Sequence, residues 1–107
     1  DLMTSPWLSN DQEMMVGDML DENTLAKAIS GCEVVYNFAA ISDLDEALSN
    51  PIKTTRINVL GNVILLEACR KANIQRYIYA STLYVYSRDG GFYRCSKQSA
   101  EHYVEEY

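Results

Sequence analysis

Glu33-Val34-Val35-Tyr36-Asn37-Phe38-Ala39-Ala40 is almost continuously apolar and ends on two small residues. A strand with one solvated face alternates apolar and polar side chains. A short run without that alternation fits a strand covered on both faces, as in a parallel sheet. Upstream of it, residues 12–16 form a short apolar-ending run stopped by Gly17-Asp18, and they read as a strand. Asp21 can cap a helix over residues 22–30, with Leu25, Ala28 and Ile29 on one face and Gly31 as its stop. Downstream, residues 43–49 make a short acidic helix or turn, for which Ser42 reads as the cap. Pro51 suits a first helical turn, and residues 52–71 read as one long helix. Val59, Leu60, Val63, Ile64, Leu65 and Leu66 make its second half largely apolar, as for a helix packed on a sheet. Residues 76–81 are the next strand, Asp89-Gly90-Gly91 a loop, and the last helix runs from near Phe92 to the end.

Strands separated by helices imply parallel crossovers and a doubly wound α/β sheet. Ligands of such sheets bind beyond the C-terminal ends of the strands. That rule singles out Gly17-Asp18, Ala39-Ala40-Ile41 and Ser81-Thr82.

The chain has 107 residues, 48% hydrophobic and 22% charged, which is one ordinary globular domain at most. The net charge is −6 and the nine Lys and Arg are scattered. Nucleic acid is disfavoured as a partner, because neutralising phosphates needs clustered cations. Cys32, Cys69 and Cys95 are odd in number and widely spaced, so neither a disulfide framework nor a metal knuckle fits. They read as three reduced, partly buried thiols of a cytoplasmic protein. No apolar run approaches the roughly 20 residues that span a bilayer, so no membrane partner is expected, and Asp1-Leu2-Met3-Thr4 is not a signal peptide.

The chemistry lies in Tyr93-Arg94-Cys95-Ser96-Lys97. A spacing of four puts Tyr93 and Lys97 on one helical face, about 5–6 Å apart at Cβ. A phenol is a poor base at neutral pH, since its ordinary pKa is about 10. A nearby ammonium stabilises the phenolate and makes the tyrosine a usable proton acceptor or donor. Thr82, at a neighbouring strand end, is placed to hold the reacting oxygen. Taken alone, Tyr-x-x-x-Lys is a weak signal and far more often describes a solvated helix surface.

Context decides between these. The stretch from Arg76 to Tyr86, Val34-Val35-Tyr36-Asn37-Phe38-Ala39-Ala40, Asn58-Val59-Leu60-Gly61-Asn62 and Gly17-Asp18 resemble, in order, segments of the extended short-chain dehydrogenase/reductase family, in its NAD-dependent epimerase/dehydratase branch. The resemblance spans nearly the whole chain and implies a Rossmann-like domain over residues 1–107. It implies Tyr93 as acid/base, Lys97 on the nicotinamide ribose, and Thr82 on the substrate oxygen. It places Asp18, with Met19 beside it, at the adenine, and the backbone of Ala39 and Ala40 alongside the cofactor. Asn58 would support the central helix and the site, or be an ordinary buried polar residue. Ser81 would contact the cofactor, or simply end its strand. Asp1 is a thin candidate for the acid on the adenosine ribose. Tyr77, Tyr79, Tyr84, Tyr86 and Tyr103 read as core or rim packing, His102 as solvent-facing, and Glu101, Glu105 and Glu106 as a solvated face.

The chain departs from the family pattern in one respect. None of its five glycines forms Gly-x-x-Gly-x-x-Gly, the loop that cradles a pyrophosphate at a helix N-terminus. The first βαβ unit and the C-terminal substrate domain are therefore expected to be absent, leaving an incomplete sheet with an unpaired edge and a chain inactive by itself. The implied cofactor is NAD, with NADP left open, and the implied substrate a nucleotide-sugar. Sugar dehydratases carry Asp-Glu directly after the active-site Thr, where this chain has Leu83 and Tyr84. Epimerisation needs only Tyr, Lys and a tightly held NAD, and it is the favoured reaction, ahead of a carbonyl reductase or dehydratase. The rival of another class is a non-catalytic binding or oligomerisation module. Relatives often form a homodimer through two helices of each subunit, which residues 52–71 and 92–107 could supply.

Overall fold

The computed structural model describes all of residues 1–107. Its elements in chain order are α1 (Glu22–Ala28), β1 (Val34–Asn37), α2 (Leu44–Ser49), α3 (Pro51–Thr55), a π-helical turn (Arg56–Gly61), α4 (Asn62–Lys71), β2 (Arg76–Tyr79), a 3-10 turn (Leu83–Tyr86) and α5 (Gly91–Glu106). β1 and β2 pair in parallel, Val34 opposite Arg76 and Asn37 opposite Tyr79. The helical segment between them is the crossover that parallel pairing demands.

Local chemistry accounts for the helix ends. The Asp21 carboxylate accepts from the Asn23 N–H at 3.0 Å, satisfying a donor the first turn of α1 leaves free. Gly31, at φ +78°, takes the left-handed conformation that ends the segment. Pro51 starts α3, where its missing N–H costs nothing. α2 corrects the expectation for Ser42. The capping side chain is Asp43, whose carboxylate accepts from the Glu46 N–H at 2.8 Å.

Two apolar clusters hold the elements together. Ile29, Leu65 and Cys69 bring α1 and α4 onto the sheet, with Val35 and Tyr77 against them. Ile41, Ala47 and Tyr93 bring α2 and α5 together with the loop after β1. Fully burying a leucine such as Leu65 contributes about 1.5–3 kcal/mol. Cys69 alone of the three thiols is buried; Cys32 and Cys95 are exposed, contrary to the expectation for all three.

Residues 12–16 are not a strand. A strand exists only against a hydrogen-bonding neighbour, and residues 12–16 pair with neither β1 nor β2, the two strands of the sheet. The segment is tied to the N-terminus instead, with Gly17 N–H donating to the Asp1 carbonyl at 2.8 Å. One face of β1 is uncovered, contrary to the expectation of cover on both: Tyr36 is 61% exposed and Phe38, just past the strand, 73%, their rings stacked on each other. The long helix over residues 52–71 is also interrupted, by the π turn at Arg56–Gly61. Such turns are rare and frequently found at functional sites, and this one carries the buried Asn58. No helix is long and apolar enough to cross a membrane.

Candidate active site

The two small loops that follow β1 and β2 meet at the N-terminal half of α5. Asn58, from the π turn, ties the first of these loops to α5. Its Oδ1 accepts from the Ile41 N–H at 2.8 Å, and its Nδ2 donates to the Ile41 carbonyl at 3.0 Å. The same Nδ2 lies 2.9 Å from Ser96 Oγ, and that hydroxyl donates to the Tyr93 carbonyl at 2.7 Å. Asn58 is 2% exposed, so these bonds are what make its burial tolerable.

Lys97 is 3% exposed. Its Nζ donates to the Ala80 carbonyl, one residue past the end of β2, at 2.8 Å. The ammonium lies 4.7 Å from the Tyr79 ring centroid and 5.9 Å from that of Tyr93. Burial pushes Lys97 below the ordinary lysine range, and the negative charge of Glu101 works against that shift. Tyr93 is buried on the same face of α5 and receives Tyr84 edge-on, the ring centroids 6.3 Å apart. Thr82 is half-buried, and its hydroxyl oxygen accepts from the Tyr84 N–H at 3.4 Å, starting the 3-10 turn.

The structure thus brings Tyr93, Lys97, Ser81, Thr82 and Asn58 into one region at the C-terminal ends of the two parallel strands. Ala39 and Ala40 end β1 beside it. Ala39 is exposed and anchored by its N–H to Asn37 Oδ1 at 3.1 Å. That Asn37 belongs to a buried trio: its Nδ2 bonds Asn62 Oδ1 at 3.0 Å and the Tyr77 hydroxyl at 2.8 Å. Tyr77 in turn donates to Asn62 at 2.7 Å.

Asp18 stands apart from this group. It is exposed and lines a cleft of about 510 Å³ with Ser49, Asn50, Lys53 and Arg56. Met19 packs on the π turn, where a Cβ on Gly61 would lie 2.9 Å from its Cε. Asp1 lies exposed beside Met15 and Gly17, among no group of that kind.

Two features escaped the sequence reading. Glu101 is not part of a solvated face: it is half-buried, and its carboxylate accepts from the Ser81 hydroxyl. Its position four residues after Lys97 and eight after Tyr93 was the available signal. The Tyr79 hydroxyl, buried and without a partner, is the second. Burial pushes that phenol well above the usual tyrosine range. Tyr86, by contrast, packs on nothing, at 89% exposed, while His102 is solvent-exposed as expected, 3.5 Å from Glu105.

The residues present suit part of a dinucleotide site. A buried ammonium offers donors for ribose hydroxyls, the small Ala39 and Ala40 leave backbone accessible, and Asp18 offers an acceptor at a separate cleft. A pyrophosphate cradle is not among them.

Comparison with known proteins agrees with this geometry. Residues 3–107 match the model of the NAD dependent epimerase/dehydratase family. A UDP-glucose 4-epimerase of Yersinia enterocolitica is 33% identical over 72 residues, 65% of this chain and 21% of that protein. A dTDP-glucose 4,6-dehydratase of Streptomyces niveus is 29% identical over 70 residues, again 65% of this chain and 21% of its own length. The chain thus spans about a fifth of the length of the curated relatives it matches. Among solved structures, a UDP-glucose 4-epimerase from Brucella ovis in complex with NAD superposes with a TM-score of 0.79 and 31% identity, over 87% of this chain and 33% of that one. The shared architecture is Rossmann-like α/β, of which this chain carries a two-stranded part.

Proposed function

The chain belongs to the NAD dependent epimerase/dehydratase family, and on that premise we propose that it carries the catalytic half-site of an NAD-dependent nucleotide-sugar epimerase. The observation that carries the proposal is the buried Lys97 ammonium on the Ala80 carbonyl, one helical turn from the buried Tyr93.

In this reading Tyr93 takes the proton from a sugar hydroxyl and later returns it. Lys97 lends positive charge to the phenolate and donates to the nicotinamide ribose. Thr82 holds the substrate oxygen, and Asn58 keeps the loop at Ile41 and the first turns of α5 in register. NAD supplies the hydride acceptor and, after the keto sugar has turned over, the hydride donor. Asp18 and Met19 lie on the adenine side, with Ala39, Ala40 and Ser81 along the cofactor.

Relatives named as dehydratases and as epimerases match the chain about equally well. Epimerisation is favoured because dehydration needs a second acid/base couple, and the positions after Thr82 hold Leu83, which is 86% exposed, and Tyr84. The test is turnover of UDP-glucose with NAD by the full protein, followed by separation of the sugar-nucleotide products. Interconversion with its C4 epimer, lost in Tyr93→Phe while NAD binding persists, is expected. A 4-keto-6-deoxy product would overturn the epimerase reading in favour of dehydration.

A further inference from the structure

Glu101 has no role in the reaction as described, yet its placement is specific. It projects from α5 four residues beyond Lys97, on the face that carries Tyr93, and its carboxylate receives the Ser81 hydroxyl. Ser81 lies between the two residues on which the site depends. Ala80 before it accepts from Lys97, and Thr82 after it starts the turn that carries Tyr84 onto Tyr93. The connections close a ring: Lys97 to Ala80, Ala80 to Ser81, Ser81 to Glu101, and Glu101 back along one helical turn to Lys97.

The ring matters because Lys97 is otherwise weakly held. None of the ion pairs in the structure includes it. Its ammonium has one hydrogen-bond acceptor, the Ala80 carbonyl, and aromatic faces on either side. A buried ammonium left with a single neutral acceptor escapes toward water whenever that acceptor moves. β2 ends at Tyr79, so the Ala80 carbonyl belongs to a loop, not to the ladder. Something outside the sheet must fix it.

We propose that Glu101 is a positioning residue, which clamps the Ser81 loop to α5 and thereby keeps Lys97 on the Ala80 carbonyl, beside Tyr93. This rests on the preceding reading only in taking Tyr93 and Lys97 as the reacting pair. The clamp itself is an acceptor function, separate from the support that the glutamate's negative charge gives to the charged Lys97. A glutamine, whose amide oxygen can also receive the Ser81 hydroxyl, serves in place of the glutamate.

The experiment is the acetylation rate of Lys97 by dilute acetic anhydride, mapped by mass spectrometry, with the exposed Lys53 as internal reference. It needs neither cofactor nor turnover, so it is independent of whether the protein is an epimerase. Ser81→Ala and Glu101→Ala are expected to raise the Lys97 rate about tenfold over Lys53, the worth of one charge-assisted hydrogen bond. Glu101→Gln keeps the acceptor but loses the charge that favours the charged, unreactive Lys97, so its rise is expected to be clearly smaller than that of Glu101→Ala. Ser81 is exposed and outside both apolar clusters, so its truncation reads the clamp without unfolding the protein. Wild-type protection in Ser81→Ala, or a rise in Glu101→Gln as large as in Glu101→Ala, would overturn the proposal.

Discussion

Asn58 pairs with Ile41 as a neighbouring strand would, its amide accepting from the Ile41 N–H at 2.8 Å and donating to the Ile41 carbonyl at 3.0 Å. The loop after β1 has left the sheet at this point, so its backbone groups need another partner. Asn58 supplies both halves and also reaches Ser96. It makes these bonds from within the π turn of Arg56–Gly61, the kind of local widening often found at functional sites.

Replacing Asn58 by leucine tests this. The branching and number of side-chain heavy atoms are kept, but the N–H and carbonyl of Ile41 lose their partners in a buried setting. Each unsatisfied group costs about 1–3 kcal/mol, so a loss on the order of 3 kcal/mol is expected in urea denaturation. A change within about 0.5 kcal/mol, the range of ordinary surface substitutions, would mean that the loop holds itself.

Lys97 poses the opposite case. Burial holds it below the ordinary lysine range, so it is retained against a desolvation penalty. Lys97→Met should leave the thermal midpoint unchanged or raised, as exchanging a buried charge for an apolar side chain often does. NAD binding and turnover of the full protein should fall about a hundredfold or more, the scale of acid/base and positioning contributions. Thermal scans beside NAD titration separate the two effects. A variant that loses stability and keeps its NAD affinity would make Lys97 a structural residue.

These two residues differ in how far the sequence disclosed them. Tyr93 and Lys97 were legible because one helical turn is a local relation, visible as a spacing of four. α1 was legible for the same reason, its start and stop being set by Asp21 and Gly31 within the segment. Residues 12–16 misled because a strand is a relation to a partner, which no local pattern contains. The π turn was hidden because the apolar residues from Val59 to Leu66 read as one continuous helix, and the partners of Asn58 at Ile41 and Ser96 lie far from it in sequence. Ser42 and Asp43 are both capable caps, and only the observed start of α2 at Leu44 decides for Asp43. The Ser81–Glu101 bond joins residues 20 apart in sequence; the spacing from Lys97 put Glu101 on the site's face, but nothing local named Ser81 as its partner.

Gly90 and Gly31 form a natural comparison. Both have φ in the left-handed region, +86° and +78°. A Cβ on Gly31 would meet nothing within 4 Å, whereas one on Gly90 would lie 2.9 Å from Tyr84 Cγ. Gly31→Ala should therefore lose only the backbone term, about 1 kcal/mol. Gly90→Ala should lose that and also push Tyr84 away from Tyr93. The expected difference between the two in urea denaturation is about 1 kcal/mol, the worth of an edge-on aromatic pair. Equal losses would mean that Tyr84 is free to move aside.

The alkaline limb of stability should be set by Tyr77 and Tyr79. Burial pushes both phenols well above the usual tyrosine range, opposed in Tyr77 by the hydrogen bond from Asn37. The unfolded chain ionises its tyrosines near pH 10, as ordinary phenols do, while the folded chain still holds these two protons. Their contribution is thus complete below about pH 10 and falls as pH rises toward the folded values, by up to about 1.4 kcal/mol per pH unit for each group. Lys97 acts in the other sense, since its depressed value lets stability rise with pH only up to the ordinary lysine value near 10.4. Above that point the tyrosines act together with the buried Cys69 thiol, which burial likewise pushes up. Urea midpoints at pH 8, 10 and 11 measure the limb, and two variants assign it. Tyr79→Phe removes a hydroxyl that has no partner, so it should flatten the fall in part while holding or raising stability at pH 8. Tyr77→Phe should flatten it equally but lose about 1 kcal/mol at pH 8, because Asn37 and Asn62 both bond its hydroxyl. If neither variant changes the slope above pH 10, the fall belongs to other groups and the burial of these phenols is not what limits the fold.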